Sequence, residues 1–101
     1  MRMLMHLRFP PEPFNTAARD GSIGAKLQRA LGTIKPEAAY FTEQDGNRGG
    51  MLVVNVDKPS DVPVLAEPFF LMLNAEVEFR VCMTPEDLAA ANLDKLGKEW
   101  R

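Results

Sequence analysis

The first residues of the chain alternate between apolar and polar side chains, which predicts a β-strand over residues 2–9. One parity is apolar and the other carries the polar side chains of His6 and Arg8. A period of two residues is typical of a strand. Proline ends the strand at Pro10, because a proline offers no donor to a strand ladder.

The next segment predicts one helix that packs on one side. Over residues 15–32, apolar or small residues recur every three or four positions, with Asn15 as the N-cap. Interior glycines weaken the middle of this helix, since each costs about 1 kcal/mol relative to alanine. Two interpretations stand: the helix restarts at Ser22, or Gly21 and Gly24 allow a close approach to the sheet. The second is preferred.

A β-hairpin is predicted for the middle of the chain. Residues 38–42 include aromatic and β-branched strand formers, residues 44–50 are dense in turn formers, and the mostly apolar residues 51–56 follow directly. The third strand, 51–56, is apolar on both parities apart from Asn55. This pattern predicts a central strand that is covered on both faces.

The second half of the chain predicts a helix, a strand and a last helix. Apolar residues fall at helical spacing over 62–73, and we expect Pro68 to kink or divide this helix. Residues 75–83 alternate as a fourth strand with one polar face. Thr84 is a good N-cap, so a last helix is predicted from there to about Lys98.

The order of these elements is that of an α+β, ferredoxin-like βαββαβ domain that spans residues 1–101 and has an added C-terminal helix. Right-handed crossovers place the first and third strands at the centre of a four-stranded antiparallel sheet. Two helices cover one face of this sheet, so its other apolar face needs a further layer. A second copy packed sheet to sheet supplies that layer and predicts a homodimer, a dimeric α+β barrel.

A competing explanation keeps the chain monomeric. The C-terminal helix would fold back across the uncovered face and pack on it through an apolar stripe. The residues of this stripe are Leu88, Leu93, Leu96 and Trp100.

Composition and charge limit the classes of partner and the cell compartment that we expect. The net charge is −2 with both signs mixed along the chain, so we expect neither nucleic acid nor a membrane surface as a partner. The single Cys82 excludes an internal disulfide and suits a reducing compartment, the cytoplasm. No apolar run approaches the about 20 residues of a membrane span, and no signal-peptide core is present. The sequence therefore predicts a soluble cytoplasmic protein.

Four motifs spread over nearly the whole chain carry a resemblance. They are PEAAYF at 36–41, AEPFF at 66–70, NAxVEF at 74–79 and PEDL at 85–88. Together they resemble a family of small, mostly bacterial proteins of unknown function, some of which are called pantothenate synthetase. That enzyme is much larger and grips ATP through a histidine-containing motif, whereas this chain has one histidine and no phosphate-binding glycine loop. The resemblance implies no catalytic residues.

By element order, the chain is also similar to dimeric α+β barrel proteins such as muconolactone isomerases and antibiotic-biosynthesis monooxygenases. Fold alone does not carry function. In such a barrel, a small-molecule pocket is lined by strand side chains that point inward. On the parity of His6, these candidates are Arg8, Tyr40, Thr42, Asn55, Glu78 and Arg80.

His6 is the candidate catalytic residue, because imidazole exchanges a proton near neutral pH. The candidates for substrate binding are Arg8, Tyr40, Asn55, Glu78 and Arg80. Each has a structural alternative: the histidine belongs to the sheet surface, the charged residues form cross-strand ion pairs, and the tyrosine anchors packing. Asn55 interrupts an apolar strand, so its amide needs either a ligand or a second subunit.

Two other groups of residues are weaker candidates. Phe69, Phe70 and Trp100 would wall an aromatic pocket, although core or interface packing is the simpler assignment. His6 and Cys82 come close together if the first and fourth strands pair, but no third ligand gives a metal site. No cofactor is predicted.

The sequence favours a dimeric small-molecule-binding or regulatory module without catalysis. The alternative is a cofactor-free enzyme of the isomerase or monooxygenase type, which acts on a small organic acid or phenol. In that enzyme His6 handles protons, while Arg8, Tyr40 or Asn55 orients the substrate.

Overall fold

A computed structural model describes the chain from Met1 to Arg101. It contains four strands and five helices. The strands are β1 (Arg2–Phe9), β2 (Ala38–Gln44), β3 (Asn47–Asn55) and β4 (Glu76–Val81). The helices are α1 (Pro11–Asp20), α2 (Ile23–Ile34), α3 (Asp61–Leu73), α4 (Pro85–Ala90) and α5 (Leu93–Glu99). None of the helices has the length and apolar character needed to cross a bilayer.

The sheet confirms the predicted ferredoxin-like topology. Its strand order is β2-β3-β1-β4, with β1 and β3 at the centre, and every neighbouring pair is antiparallel. In the central pair, Met5 lies opposite Leu52. The right-handed crossover rule is sufficient to predict this order from the sequence of elements.

The hairpin between β2 and β3 turns through two residues. Asp45 and Gly46 have φ angles of 51° and 80°, as a type I′ turn requires, and this turn matches the twist of the strands that it joins. Gln44 pairs with Asn47 across it. The ladder therefore continues to the turn itself, so β2 and β3 are longer than the sequence predicted.

The core lies on one face of the sheet, beneath α1, α2 and α3. Phe69 of α3 is completely buried and stacks at a tilt on Phe9, with ring centroids 6.3 Å apart. The other buried side chains of the sheet and α3 in this core are Met5, Leu7, Leu52, Val54, Val56, Leu65 and Leu73. The apolar parity of β1 thus faces the helices, as its alternation predicted.

The prediction of one helix over residues 15–32 was wrong. α1 ends at Gly21, whose φ of 81° is left-handed, and α2 restarts after Ser22. A left-handed residue stops the helical hydrogen bonds and reverses the chain direction locally. No atom lies within 4 Å of a β-carbon built on Gly21 or Gly24, so neither glycine serves a close approach to the sheet.

The start of α1 also differs from the prediction, since Asn15 is not its N-cap. Glu12 instead accepts hydrogen bonds from the backbone N–H of Thr16 at 3.1 Å and from its hydroxyl at 2.7 Å. The backbone of Glu12 is not helical, with φ −114° and ψ 143°, so the regular turns of α1 begin after it and its carboxylate satisfies a free donor of their first turn.

Pro68 does not divide the second crossover helix. α3 runs continuously from Asp61 to Leu73 with Pro68 inside it. The proline leaves the carbonyl of Val64 without its helical donor. Val64 is exposed, so water can bond this carbonyl, and the buried residues on the opposite side hold the helix together.

The C-terminal segment forms two helices instead of one. Asn92 has a φ of 53° and separates α4 from α5, whose Lys95 N–H it caps. The predicted N-cap is confirmed: the Thr84 hydroxyl accepts from the N–H of Asp87, and the Asp87 carboxylate accepts from the N–H of Thr84, each at 3.0 Å.

Residues Pro85–Arg101, here called the C-terminal arm, do not fold back on the sheet. Every residue of the arm is exposed, which overturns the explanation in which its apolar stripe covers the second face. The radius of gyration is 17.0 Å, whereas a compact chain of this length has about 13 Å. The arm follows the edge strand β4, and its two short helices are separated at Asn92.

Candidate functional site

The face of the sheet opposite α1, α2 and α3, here called the open face, carries all of the predicted site residues. Residues directly opposite each other in an antiparallel sheet point to the same face. The strand pairing therefore puts the following side chains together on the open face: Leu4, His6 and Arg8 of β1, Ala38, Tyr40 and Thr42 of β2, Met51, Val53 and Asn55 of β3, and Glu76, Glu78 and Arg80 of β4.

One row crosses the middle of the open face through all four strands. Tyr40 is opposite Met51, Met51 is opposite His6, and His6 is opposite Glu78. Side chains in such pairs have β-carbons about 4.5–5.5 Å apart. We call these four residues the central row.

Two members of the central row have unused hydrogen-bonding groups. His6 is half-buried and Tyr40 is 69% exposed. The side chains of His6 and Tyr40 take part in none of the hydrogen bonds of the chain, and Glu78 forms no ion pair with the imidazole. An imidazole and a phenol hydroxyl are therefore available to a molecule that lies on this face.

Charged pairs flank the central row. The Arg8 guanidinium donates to the Glu76 carboxylate across the sheet at 3.2 Å, and Arg80 lies 3.6 Å from Glu78 on the same strand. All four side chains are at least one third exposed, so each pair stabilises the fold by at most about 1 kcal/mol. Both arginines remain accessible to an anion.

Asn55 does not need a ligand or a second subunit. It is exposed at the end of β3, where its Oδ1 accepts from the amino group of Met1 at 3.1 Å and its Nδ2 donates to the Asp57 carboxylate at 3.1 Å. The amide is satisfied within its own chain. The sequence argument from a polar residue inside an apolar strand was wrong, because Asn55 is the last residue of that strand.

The open face carries a hollow at each end. The smaller, about 90 Å³, lies beside the central row and is lined by His6, Arg8, Gln44, Asp45, Glu76 and Glu78. The larger, about 460 Å³, is lined by Arg2, Glu37 and Asn55 together with residues of the C-terminal segment. Small-molecule sites usually enclose about 300–1,000 Å³, so one chain alone does not enclose a ligand beside His6.

Sequence reasoning missed two residues of these hollows. Gln44 has the parity of Tyr40, but it was assigned to the turn. Arg2 donates from Nε to both carboxylate oxygens of Glu37, at 3.0 and 3.2 Å, and this hydrogen-bonded carboxylate raises the pKa of Arg2. The parity of β1 places Arg2 on the face of His6, which is the signal that could have identified it.

The weaker candidates are separated by the fold. Cys82 donates its N–H to the carbonyl of Arg2 and so lies four residues beyond Glu78 along β4, about 13 Å from the row of His6. It therefore forms no Cys–His pair. Phe69 is in the core while Trp100 is 84% exposed at the end of the arm, so they do not wall a common pocket.

Two solved structures are similar to this chain. The 5-chloro-2-hydroxyhydroquinone dehydrochlorinase of Burkholderia phenoliruptrix AC1100, in complex with 2,5-dihydroxybenzoquinone, is similar with a TM-score of 0.60 and 15% sequence identity, over 85% of this chain and 97% of that chain. The de novo designed protein Ferredog-Diesel has a TM-score of 0.47 and 12% identity, over 80% and 85% of the two chains.

No family model matches the sequence, and no curated protein matches it. The similarity to the dehydrochlorinase is below the identity at which function follows from relatedness, and it shows a shared fold alone. The chain is thus a ferredoxin-like α+β protein with a four-stranded antiparallel sheet.

Proposed function

We propose that two copies of this chain pack open face to open face and that the enclosed space binds a small hydroxylated or carboxylated aromatic molecule. One observation carries the proposal. His6 and Tyr40 lie in one row on a partly apolar face, without hydrogen-bond partners in the chain, and no element of the chain covers them.

The apolar side chains of the open face support the proposed dimer. Leu4, Met51 and Val53 are only half-buried although they lie on the two central strands. The helices cover the opposite face and the arm projects away, so the chain has no second layer of its own. A face of this kind is stabilised by a layer that excludes water, and a two-fold copy supplies a matching apolar surface.

The ligand class follows from the polar side chains around the row. Arg8 favours a carboxylate or phenolate oxygen, His6 and Tyr40 can bond hydroxyl or carbonyl oxygens, and Met51 offers an apolar surface to a ring. Two packed sheets lie about 10 Å apart, so the sheet of a second copy would cover the 90 Å³ hollow. A protein with the same fold binds 2,5-dihydroxybenzoquinone, a planar quinone ring that carries hydroxyl and carbonyl oxygens.

An enzyme is the second candidate, and one observation favours it. Glu78 lies directly opposite His6, where a carboxylate can orient an imidazole that takes a proton from a bound phenol. Such an enzyme would be of the isomerase or monooxygenase type and would use no cofactor. Turnover of a bound phenol that is lost in His6→Gln, with binding retained, separates this enzyme from a binding module.

Light scattering tests the dimer. We expect the wild type at micromolar concentration to have twice the chain mass of 11.3 kDa and Val53→Lys, on the open face, to be monomeric. Val64→Lys, at an exposed position on the outer side of α3, is the matched control and should stay dimeric. A monomeric wild type would overturn the proposal.

Calorimetric titration with 2,5-dihydroxybenzoquinone tests the site. The wild type should bind it, while His6→Ala and Arg8→Ala should bind at least tenfold more weakly, which corresponds to about 1.4 kcal/mol. Arg19→Ala removes the same charge at an exposed position of α1. This variant should bind the quinone as the wild type does. Equal binding by all four proteins, or by none, contradicts the assigned site.

Membership of the family that the four motifs resemble, and a cytoplasmic location, are further parts of the proposal. The motif at 36–41 includes Tyr40 of the central row, and the motif at 74–79 includes Glu78. The free thiol of Cys82 suits a reducing compartment.

A further inference from the structure

We propose that the C-terminal arm, Pro85–Arg101, packs on a second copy of this chain along the rim of the interface between the two open faces. This inference rests on the proposed dimer and adds a second contact to it. The arm of each copy would then contact the other copy.

The arm has defined helices that nothing in its own chain supports. α4 has six residues and α5 has seven, whereas isolated helices shorter than about 12–15 residues are marginal in water. The Thr84–Asp87 capping box and the Asn92 cap specify where these helices begin. Caps of about 1 kcal/mol each do not stabilise helices this short, so a tertiary contact is needed.

The arm carries apolar side chains along one side. Leu93 and Leu96 lie on α5, Trp100 follows at helical spacing where that helix ends, and Leu88 lies on α4. All four are exposed, and Trp100 is 84% exposed. The remaining positions of α5 are charged apart from Gly97, and Lys95 lies 3.9 Å from Glu99. A helix with one apolar side normally buries that side against another surface.

The arm does not pack on the rest of its own chain. The core beneath α1, α2 and α3 is complete without it, and the arm contributes no buried residue. The long axis of the chain measures 59 Å against 28 and 19 Å for the other two. The arm therefore extends past its own domain, toward space that a neighbouring molecule would occupy.

A second copy is the partner that the geometry favours, because the arm begins at the rim of the open face. Cys82, Met83 and Asp87 line the same hollow as Arg2 and Asn55 of that face. Any molecule packed on the open face thus lies beside the root of the arm.

The area of the open face supports the same conclusion. Four strands about 4.8 Å apart and about seven residues long have a planar footprint of about 450 Å². A standard interface buries about 800 Å² on each partner. This area of about 800 Å² is accessible surface, which exceeds the planar footprint of the same face, and the apolar stripe of the arm would add to the surface that is buried.

Trp100 is the only tryptophan, so its fluorescence reports the environment of the arm directly. We would measure iodide quenching and light scattering on the same samples. The dimeric wild type should show Trp100 protected, with a quenching constant several-fold smaller than that of wild type diluted until it is monomeric, or of Val53→Lys.

Three outcomes overturn the inference in different ways. A dimer in which Trp100 is freely quenched shows that the arm does not dock, and leaves the proposed function intact. Protection of Trp100 in the diluted monomer shows that the arm folds on its own chain. A wild type that is monomeric at every concentration overturns the docked arm and the proposed dimer together.

A pair of variants tests the apolar stripe. Leu96→Ser should restore quenching of Trp100 and weaken dimerisation at least tenfold. Lys98→Ser lies on the other side of α5 and should change neither. If the two variants behave alike, the stripe is not the contact.

Discussion

A β-carbon on Gly49 would lie 3.0 Å from the β-carbon of Gln44 and 3.0 Å from the carbonyl oxygen of Leu7. Gly49 faces the open side of the sheet, directly opposite Arg8. The absence of a side chain lets Gln44 lie across the central strand, where it lines the hollow beside His6. The last residue of β2 thereby becomes part of the candidate site.

Gly49→Ala should therefore destabilise the protein by about 1–3 kcal/mol, the usual cost of overpacking. The Leu7 carbonyl belongs to the ladder and cannot move without weakening it. Urea unfolding monitored by circular dichroism measures the change. Gly32→Ala is the matched control, since no atom lies within 4 Å of its added β-carbon, and a loss of stability as large as that of Gly49→Ala would contradict this explanation.

The two glycines around the break between α1 and α2 should respond in opposite directions to alanine. Gly21 has a φ of 81°, a conformation that costs a residue with a β-carbon about 1–2 kcal/mol, so Gly21→Ala should destabilise. Gly24 lies inside α2 with open space around it, so Gly24→Ala should stabilise by about 1 kcal/mol. Thermal unfolding of both variants checks this, and a shift of the same sign in both would refute it.

Phe69 should be among the most costly residues to truncate. It is fully buried on α3 and contacts Phe9 in the core, so Phe69→Ala should cost about 3–5 kcal/mol of unfolding free energy. Leu71 on the same helix is 80% exposed, and Leu71→Ala should change stability by no more than about 0.5 kcal/mol. Equal losses in urea unfolding would mean that α3 packs differently.

Stability should fall in acid because native hydrogen bonds lower the pKa values of two carboxyl groups. The Thr16 hydroxyl and N–H lower the pKa of Glu12, and the backbone N–H and side chain of Thr84 lower that of Asp87. The folded pKa values lie below the ordinary values of 4.5 and 3.8. The stabilisation is thus present above those values and is lost as pH falls through the lower, folded values.

Unfolding midpoints at pH 7 and pH 3 measure this loss of stability. Between these two pH values, Glu12→Gln should lose less stability than the wild type does. Both carboxyl groups are exposed, so the difference is a modest one. Glu67→Gln, on the exposed side of α3, serves as the control. A larger acid loss in Glu12→Gln than in the wild type would contradict the sign.

Much of the candidate site followed from parity alone. Because side chains alternate along a strand, the placement of Phe9 in the core put His6 and Arg8 on the opposite face before any contact was known. Asn55 shows where the same reasoning failed. Its parity was correct. However, the position at which β3 ends depends on how the chain enters and leaves the sheet, and so do the groups of Met1 and Asp57 that bond its amide.

Local signals specified the four strands, the β-hairpin and the Thr84 cap, because each depends on the conformational preferences of a few neighbouring residues. The turn of the hairpin was predicted over residues 44–50, and the structure narrows it to Asp45 and Gly46. The order of elements was enough to predict the ferredoxin-like sheet, since crossover handedness leaves few arrangements. Tertiary structure alone decided that α3 continues through Pro68 and that the arm leaves the sheet. Those outcomes depend on which residues far apart in the chain can be buried together, and burial is a property of the whole fold.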